Sequence, residues 1–254
     1  MLVIAHLSDT HFDGGPHAAE RAGRVMSYLK DCVARGPART IDAVLVTGDI
    51  ADHGAAGEYA EAAEILVTNS NEPPVLLLPG NHDVRGPFRQ VLLGEPESDR
   101  PINRLREVAG AAFLLCDSTI PGRVEGLLDD ESIGWIESTL AGLGSGTPTF
   151  ICFHHPPVTL GMDFMDGIRQ FHTGRLAALV RDNSDVVGVL CGHAHSAAAS
   201  TFAGKPMIVA PGVASTVTLP WESKQVVDYR PPPAVAFHIL DDEGRLTTHY
   251  RPVL

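Results

Sequence analysis

Apolar residues along this chain come in short runs that stop abruptly at polar ones. The run at 2–8 ends on Ser8 and Asp9, AVLVTGD spans 43–49, and VLLLPGNHD spans 75–83. Runs of this length, rich in Val, Leu and Ile and closed by Gly or Pro, read as buried strands. Between the first and second lies a stretch of helical periodicity from about His17 to Arg35, with Gly36 and Pro37 as stop signals. An Ala/Glu-rich segment near 56–69 predicts a second helix before the third strand, so the chain opens β-α-β-α-β. Up to about residue 110 the pattern is less regular. Further strands are predicted at 112–117, 149–154 and 186–191. Helices are predicted between them at about 131–141, opening after Asp130, and 172–182, opening after His172 or Thr173. From Ser196 onward the runs AAASTFA, PMIVA, AVAFHIL and RLTTHYR are short, alternating or apolar and punctuated by Gly and Pro, which predicts antiparallel strands without helices. The whole reads as a layered α/β protein with a mixed sheet system. Whether the β-rich tail completes the core sheet or closes over a site stays open at this level.

The 254 residues, with 44% hydrophobic and 20% charged, suit one compact domain over 1–254 with a sizeable core. Four cysteines, Cys32, Cys116, Cys152 and Cys191, form no CxxC pair, and three lie in strand-like runs, so they read as reduced thiols. The chain opens directly into its first apolar run, with no basic leader and no long apolar stretch. The expectation is a cytoplasmic protein without a membrane partner. A net charge of −12 with no basic tract argues against a nucleic-acid polymer as partner.

The strong polar clusters all fall where a strand runs out. Asp9 and His11 follow the first, Asp49 the second, Asn81 and His82 the third, His154 and His155 a fourth, and His193 and His195 a fifth. In open α/β sheets the loops beyond the carboxyl ends of strands converge on one rim, so five loops would bring these side chains together. Carboxylates, an amide oxygen and imidazoles without thiolate suit Mn, Fe, Zn or Co. Seven such ligands, with one carboxylate shared, serve two ions about 3.5–4 Å apart, an arrangement suited to phosphoryl transfer to water. Gly48, Gly80 and Gly192, each just before a candidate ligand, permit sharp turns and close backbone approach.

These motifs stand as Asp9-Thr-His11, Gly48-Asp49, Gly80-Asn81-His82-Asp83, His154 and Gly192-His193-Ala-His195. In this order they resemble the signature of the calcineurin-like binuclear metallophosphoesterases. The fuller runs LSDTH, TGDIAD, LLPGNHD, HHPP and CGHAHS resemble the branch that holds class III cyclic nucleotide and glycerophosphodiester phosphodiesterases. The resemblance implies a four-layer fold, with two mixed β-sheets packed as a sandwich and flanked by helices. It implies Asp9, His11 and His195 on one metal, Asn81, His154 and His193 on the other, and Asp49 bridging. A hydroxide held near Asp49 would attack phosphorus while His82 assists charge or proton development on the other oxygens. Asp83 would orient His82 or a ligand, Asp52 would support a ligand from behind, and His155 would face substrate or pack. The implied substrate is a small phosphodiester, a cyclic nucleotide such as cAMP or a glycerophosphodiester; the alternatives with the same metal core are a phosphomonoesterase, a nucleotide-type pyrophosphatase and a non-catalytic metal-binding scaffold. The implied assembly is a homodimer or larger oligomer.

Outside the motifs, His17, His53 and His172 read as helix-cap or solvent residues. Arg85, Arg89 and Arg123 are candidates for phosphate binding or for pairing with surface acids. The stretch GMDFMDGIRQFH at 161–172 reads as a loop packing on the domain, placed where it could also touch substrate or a second subunit.

Overall fold

The computed structural model describes residues 1–35, 41–67 and 72–254. The elements run β1 (Leu2–Leu7), α1 (Pro16–Arg35), β2 (Ala43–Thr47), α2 (Ala56–Leu66), β3 (Val75–Leu78) and α3 (Arg85–Phe88), which runs on into a π-helical stretch at Arg89–Leu93. They continue with β4 (Arg104–Val108), β5 (Ala111–Leu115), α4 (Asp130–Gly142), β6 (Thr149–Cys152), α5 (Asp163–Gly167), α6 (Gly174–Asp182) and β7 (Val186–Cys191). The last third is β8 (Ala198–Phe202), β9 (Lys205–Val209), β10 (Thr216–Val217), β11 (Val227–Asp228), β12 (Ala234–Leu240) and β13 (Leu246–Pro252). The stop signals Gly36 and Pro37, and the end of the helix expected near 56–69, lie outside the described residues. Within them α2 ends at Leu66. No helix is long and apolar enough to cross a membrane among the described residues.

Two sheets are stacked face to face. One has the order β13-β12-β1-β2-β3, the other β4-β5-β6-β7-β9-β8. Strand alternation sorts the apolar side chains into three layers. Ile4, Leu45, Leu78, Phe113, Phe150 and Leu190 meet between the sheets, with Phe113 and Phe150 stacked at 5.2 Å. Ala5, Leu7, Val44 and Val46 face the other way, onto Val25 and Leu29 of α1 and Tyr59 and Leu66 of α2. Leu114, Ile151, Val189 and Met207 face Ile133 and Ile136 of α4 and Leu176 and Val180 of α6. The result is a helix–sheet–sheet–helix sandwich with two mixed sheets.

Several elements differ from the sequence pattern. β4 was hidden in the irregular region because RLREV alternates Arg with only partly buried residues, as an edge strand does. The tail is not wholly antiparallel: β9 pairs with β8 antiparallel but with β7 parallel. The tail also does both of the things left open. β12 inserts beside β1 and, with β13, completes the first sheet, whereas the β10–β11 hairpin stands over the cleft described below. Helix α4 is capped by Asp129, whose carboxylate accepts from the Ser132 amide at 2.8 Å, one residue before the expected opening.

A chain of buried polar groups threads the first sheet. Thr248, His238, His6 and Thr47 are linked at 2.8, 2.9 and 2.9 Å across β13, β12, β1 and β2. Burial holds both imidazoles neutral: that of His238 is pushed down to about 3, and that of His6 falls well below its usual value through burial and the adjacent His238. Because the folded-state values lie below the unfolded value of about 6.5, the unfolded chain takes up protons first as pH falls. Stability should be unaffected above that pH and should decline below it. His238 alone contributes a loss of about 2 kcal/mol by pH 5. Urea unfolding of the metal-loaded protein at pH 7.5, 6.5, 5.8 and 5 should show this decline, with a shallower slope in His238→Asn. Parallel slopes would contradict it.

Candidate metal centre

The carboxyl ends of β1, β2, β3, β6 and β7 all open on one seam between the sheets. Each strand ends before its candidate residues, which leaves those side chains on loops. The loops are laced together by their backbones. Asp9 N donates to Gly48 O at 3.0 Å, His11 N to Asp49 O at 2.9 Å and Phe12 N to Ile50 O at 2.8 Å. On the other flank Val213 N and Ala214 N donate to Ser8 O and Asp9 O, and across the seam Gly192 N donates to His154 O at 2.9 Å.

This lacing holds an uncommon backbone. Asp9, His11, Asp49, His193 and His195 all have positive φ, between 45° and 67°. Left-handed residues other than Gly cost roughly 1–3 kcal/mol each and persist only where surrounding contacts over-determine them. Two glycines serve the crossing. Gly48 has φ of 90°, and a Cβ there would stand 2.6 Å from both Gly80 N and His154 Nδ1. At Gly192 a Cβ would meet the Ser8 side chain and stand 2.8 Å from Thr47 O.

The candidate residues form two sets around one oxygen. In the first, His11 Nε2 and His195 Nε2 face each other at 3.1 Å. Asp49 Oδ2 lies 3.6 Å from His11 Nε2, and Asp9 Oδ1 lies 3.4 Å from His195 Nε2. In the second, His154 Nε2 lies 3.3 Å from the same Asp49 Oδ2 and 3.2 Å from His193 Nδ1. Donor atoms about 2.1 Å from a shared ion sit about this far apart, so the spacing fits metal ligation. Asp49 Oδ1 is occupied by the His82 amide at 2.9 Å, which leaves Oδ2 to both sets.

In His11, His195 and His154 the other ring nitrogen is committed away from the centre, which fixes which nitrogen faces inward. His11 Nδ1 is 2.9 Å from Asp52 Oδ1, His195 Nδ1 is 2.8 Å from Ser215 Oγ, and His154 Nδ1 donates to Thr47 O at 2.7 Å. Both oxygens of Asp9, Asn81 Oδ1 and His193 Nε2 are buried without a hydrogen-bond partner. Buried polar atoms are rarely left so, and a cluster of acceptors with nothing to accept fits a site built for cations. The electrostatics agree. Burial works against charge on His154, yet Asp49, with Asp9 beyond it, holds its pKa up at about 9. In His193, by contrast, burial and then His155 and His154 push it well down, which keeps a lone pair available. Burial also lowers His195, against the pull of Asp9.

Of the two roles expected of His155, facing substrate or packing, its contacts favour the second. Although a nitrogen of its ring lies within 4.8 Å of ligand atoms of His154 and His193, it is buried, with Nδ1 on Ser118 Oγ at 2.8 Å and Nε2 on Val124 O at 3.2 Å. It packs, and Gly126 leaves room for its ring. Asp83, expected to orient His82 or a ligand, bonds to neither ring nor ligand side chain but to the loops that carry the ligands. Its carboxylate accepts from the amides of Ile50, Ala51 and Gly80 and from Tyr59 OH at 2.8–3.1 Å, which ties the loops carrying Asp49 and Asn81 to each other. Burial and then Asp49 raise its pKa to about 6. His82 is oriented instead by the backbone of Asp52, whose carbonyl accepts from Nδ1 at 2.8 Å, so Nε2 is left to the cleft.

The centre forms the floor of a cleft of about 400 Å³. Its walls bring in His17, expected to be a cap or solvent residue, and the 161–172 stretch, expected to pack on the domain or touch substrate. His17 lines the cleft and meets Tyr229 edge to face at 5.8 Å, and the 161–172 stretch supplies Phe164, Met165 and Ile168. For His17 the signal available was its place shortly after the first ligand loop. His53 instead pairs with Glu58 at 2.8 Å. Arg85 pairs with Asp117, Arg89 with Glu95 and Arg123 with Glu125, and none of the three lines the cleft.

Comparison with known proteins agrees with this architecture. Residues 2–197 match the family model described as calcineurin-like phosphoesterase. A probable cyclic nucleotide phosphodiesterase of Rhodococcus erythropolis is 35% identical over 85% of this chain and 72% of its own length. The glycerophosphodiester phosphodiesterase GpdQ of Enterobacter lignolyticus is 31% identical over 93% of this chain and 86% of its own. A dimetal phosphatase from Danio rerio, 14% identical, shares the fold over 100% of this chain and 96% of its own, with a TM-score of 0.71. With its motifs in order at the seam of two stacked sheets, the chain belongs to the calcineurin-like phosphoesterase family.

Proposed function

We propose that the chain hydrolyses small phosphodiesters with two metal ions. Asp9, His11 and His195 would hold one, Asn81, His154 and His193 the other, and Asp49 would be shared between them. The observation that carries this reading is the single Asp49 oxygen within 3.3 Å of His154 and 3.6 Å of His11, amid buried acceptor atoms with no partner. The mixed oxygen and nitrogen donors suit Mn, Fe, Zn or Co. Bound ions would supply positive charge to the phosphoryl oxygens and lower the pKa of a water held between them.

The protein's own groups do the rest. His82 Nδ1 is held by the Asp52 carbonyl, so Nε2 points to where the departing oxygen would lie. With a proton on Nε2 it can hydrogen-bond or protonate that oxygen. Among the described residues that line the cleft there is no Lys or Arg. Compensation of substrate charge therefore falls to the ions and His82, which suits the single charge of a diester better than the double charge of a monoester. The names of the two curated relatives support the same choice. Free cysteines, three of them buried, fit a reducing compartment, and we read the enzyme as cytoplasmic.

Asn81→Ala should bring metal content from about two ions per chain to about one. It should also lower kcat for bis(p-nitrophenyl) phosphate with manganese by at least about a hundredfold. Elemental analysis and initial rates check this, and unchanged turnover would overturn the two-ion reading. Asp52→Ala removes the carboxylate behind His11 but keeps the carbonyl behind His82. It should weaken metal affinity about 10–100-fold, with most of kcat recovered at saturating metal. A kcat that stays low at saturation would mean the carboxylate acts on His82 instead. Chelation should abolish activity, and added manganese should restore it.

A further inference from the structure

The wall of the cleft opposite the candidate ligands is apolar. Phe164, Met165 and Ile168 come from α5 and the residue after it, Val217 and Val227 from the β10–β11 hairpin, and Tyr229 from just beyond that hairpin. Tyr229 and Phe164 are 57% and 61% exposed, large apolar rings left open beside the candidate centre. Of the hydrogen-bonding groups on this side, Ser215 Oγ is used by His195 and Asp13 Oδ1 by the Gly15 amide. Phe164, Met165, Ile168, Val217, Val227 and Tyr229 together offer one side-chain hydroxyl, that of Tyr229, so the hydroxyls of an open polyol laid against them would be largely unpaired, which opposes binding.

The wall is also built. Arg21 of α1, 4% exposed, donates through Nε to Val213 O at 2.6 Å and through its terminal nitrogens to Tyr229 O at 3.4 Å and Pro231 O at 2.8 Å. The helix that presents His17 to the Tyr229 ring thus also clamps the Tyr229 backbone. The hairpin leading to Tyr229 is paired through Thr216 with Asp228 and Val217 with Val227. The Phe164 turn is closed by Asp166, whose carboxylate accepts from the amides of Leu160, Gly161 and Met162 at 2.6–3.1 Å. Two aromatic rings held by buried or multiply bonded anchors form a surface suited to stacking.

We propose that this wall seats the organic group of the diester, and that Tyr229 and Phe164 select a flat, heteroaromatic group over an open polyol. The proposal rests on the phosphodiester reading above and adds to it the residues that choose among diesters. Kinetics on a 3′,5′-cyclic purine nucleotide and on glycerophosphoethanolamine, with manganese saturating, test it. The wild-type protein should favour the nucleotide in kcat/KM. Tyr229→Ala should reduce that preference about tenfold, mainly through KM, and Tyr229→Phe should keep it, since stacking needs the ring and not the hydroxyl. Phe164→Ala should move the preference the same way. Equal losses on both substrates, an unmoved preference in both alanine variants, or wild-type preference for glycerophosphoethanolamine would overturn the selectivity while leaving diester hydrolysis intact. Cleavage of p-nitrophenyl phosphate with neither diester touched would instead overturn the phosphodiester reading, and the selectivity with it.

Discussion

Two carboxylates buried side by side at the seam of two sheets set the terms for everything around them. Asp9 and Asp49 are 0% and 2% exposed, and both oxygens of Asp9 lack a partner in the protein. An ionised carboxylate taken from water costs several kcal/mol even after relaxation, unless positive charge or donors answer it. Two neighbouring imidazoles answer part of this charge: burial works against charge on His154 and His11, yet Asp49 holds the first up at about 9 and Asp52 with Asp49 raises the second. Asp9 and Asn81 Oδ1 still have no donor, and burial keeps His193 and His195 low with their lone pairs free, so the point remains suited to a cation.

Holding that point has a backbone cost. The five left-handed residues are all Asp or His, types that tolerate this region better than most. Their loops are fixed by amide-to-carbonyl bonds between neighbouring loops, by Asp83 gathering three amides and a phenol, and by Thr47. The Thr47 carbonyl accepts from both His154 and Ser8, while its hydroxyl is gripped by the buried His6. Stability spent at the strained loops is recovered in the three apolar layers beneath them.

Much of the candidate centre was legible in the chain because strand termini announce themselves. An apolar run that breaks at Gly-Asp or Gly-Asn-His-Asp marks both the strand and the place where its last residues leave the sheet. Direction was not legible. In His154-His155 two identical residues stand side by side on the loop after β6, and one ring goes to Asp49 while the other goes to Ser118. His17 and Tyr229 are 212 residues apart by their numbers, and nothing local in either hints that they meet. Arg104–Val108 escaped notice because an edge strand has one open flank and tolerates charge.

The sequence by itself determined the layered α/β order, the strand ends that carry chemistry and the kinds of ligand atom available, because these depend on local periodicity and side-chain chemistry. The tertiary structure decided which nitrogen of His11, His154 and His195 faces inward, that one Asp49 oxygen lies between both sets, and that the tail contributes to a core sheet and to a cleft wall at once. These are relations between segments far apart in the chain. They follow from how the two sheets stack and from which hydrogen bonds that stacking leaves free, and no local pattern encodes them.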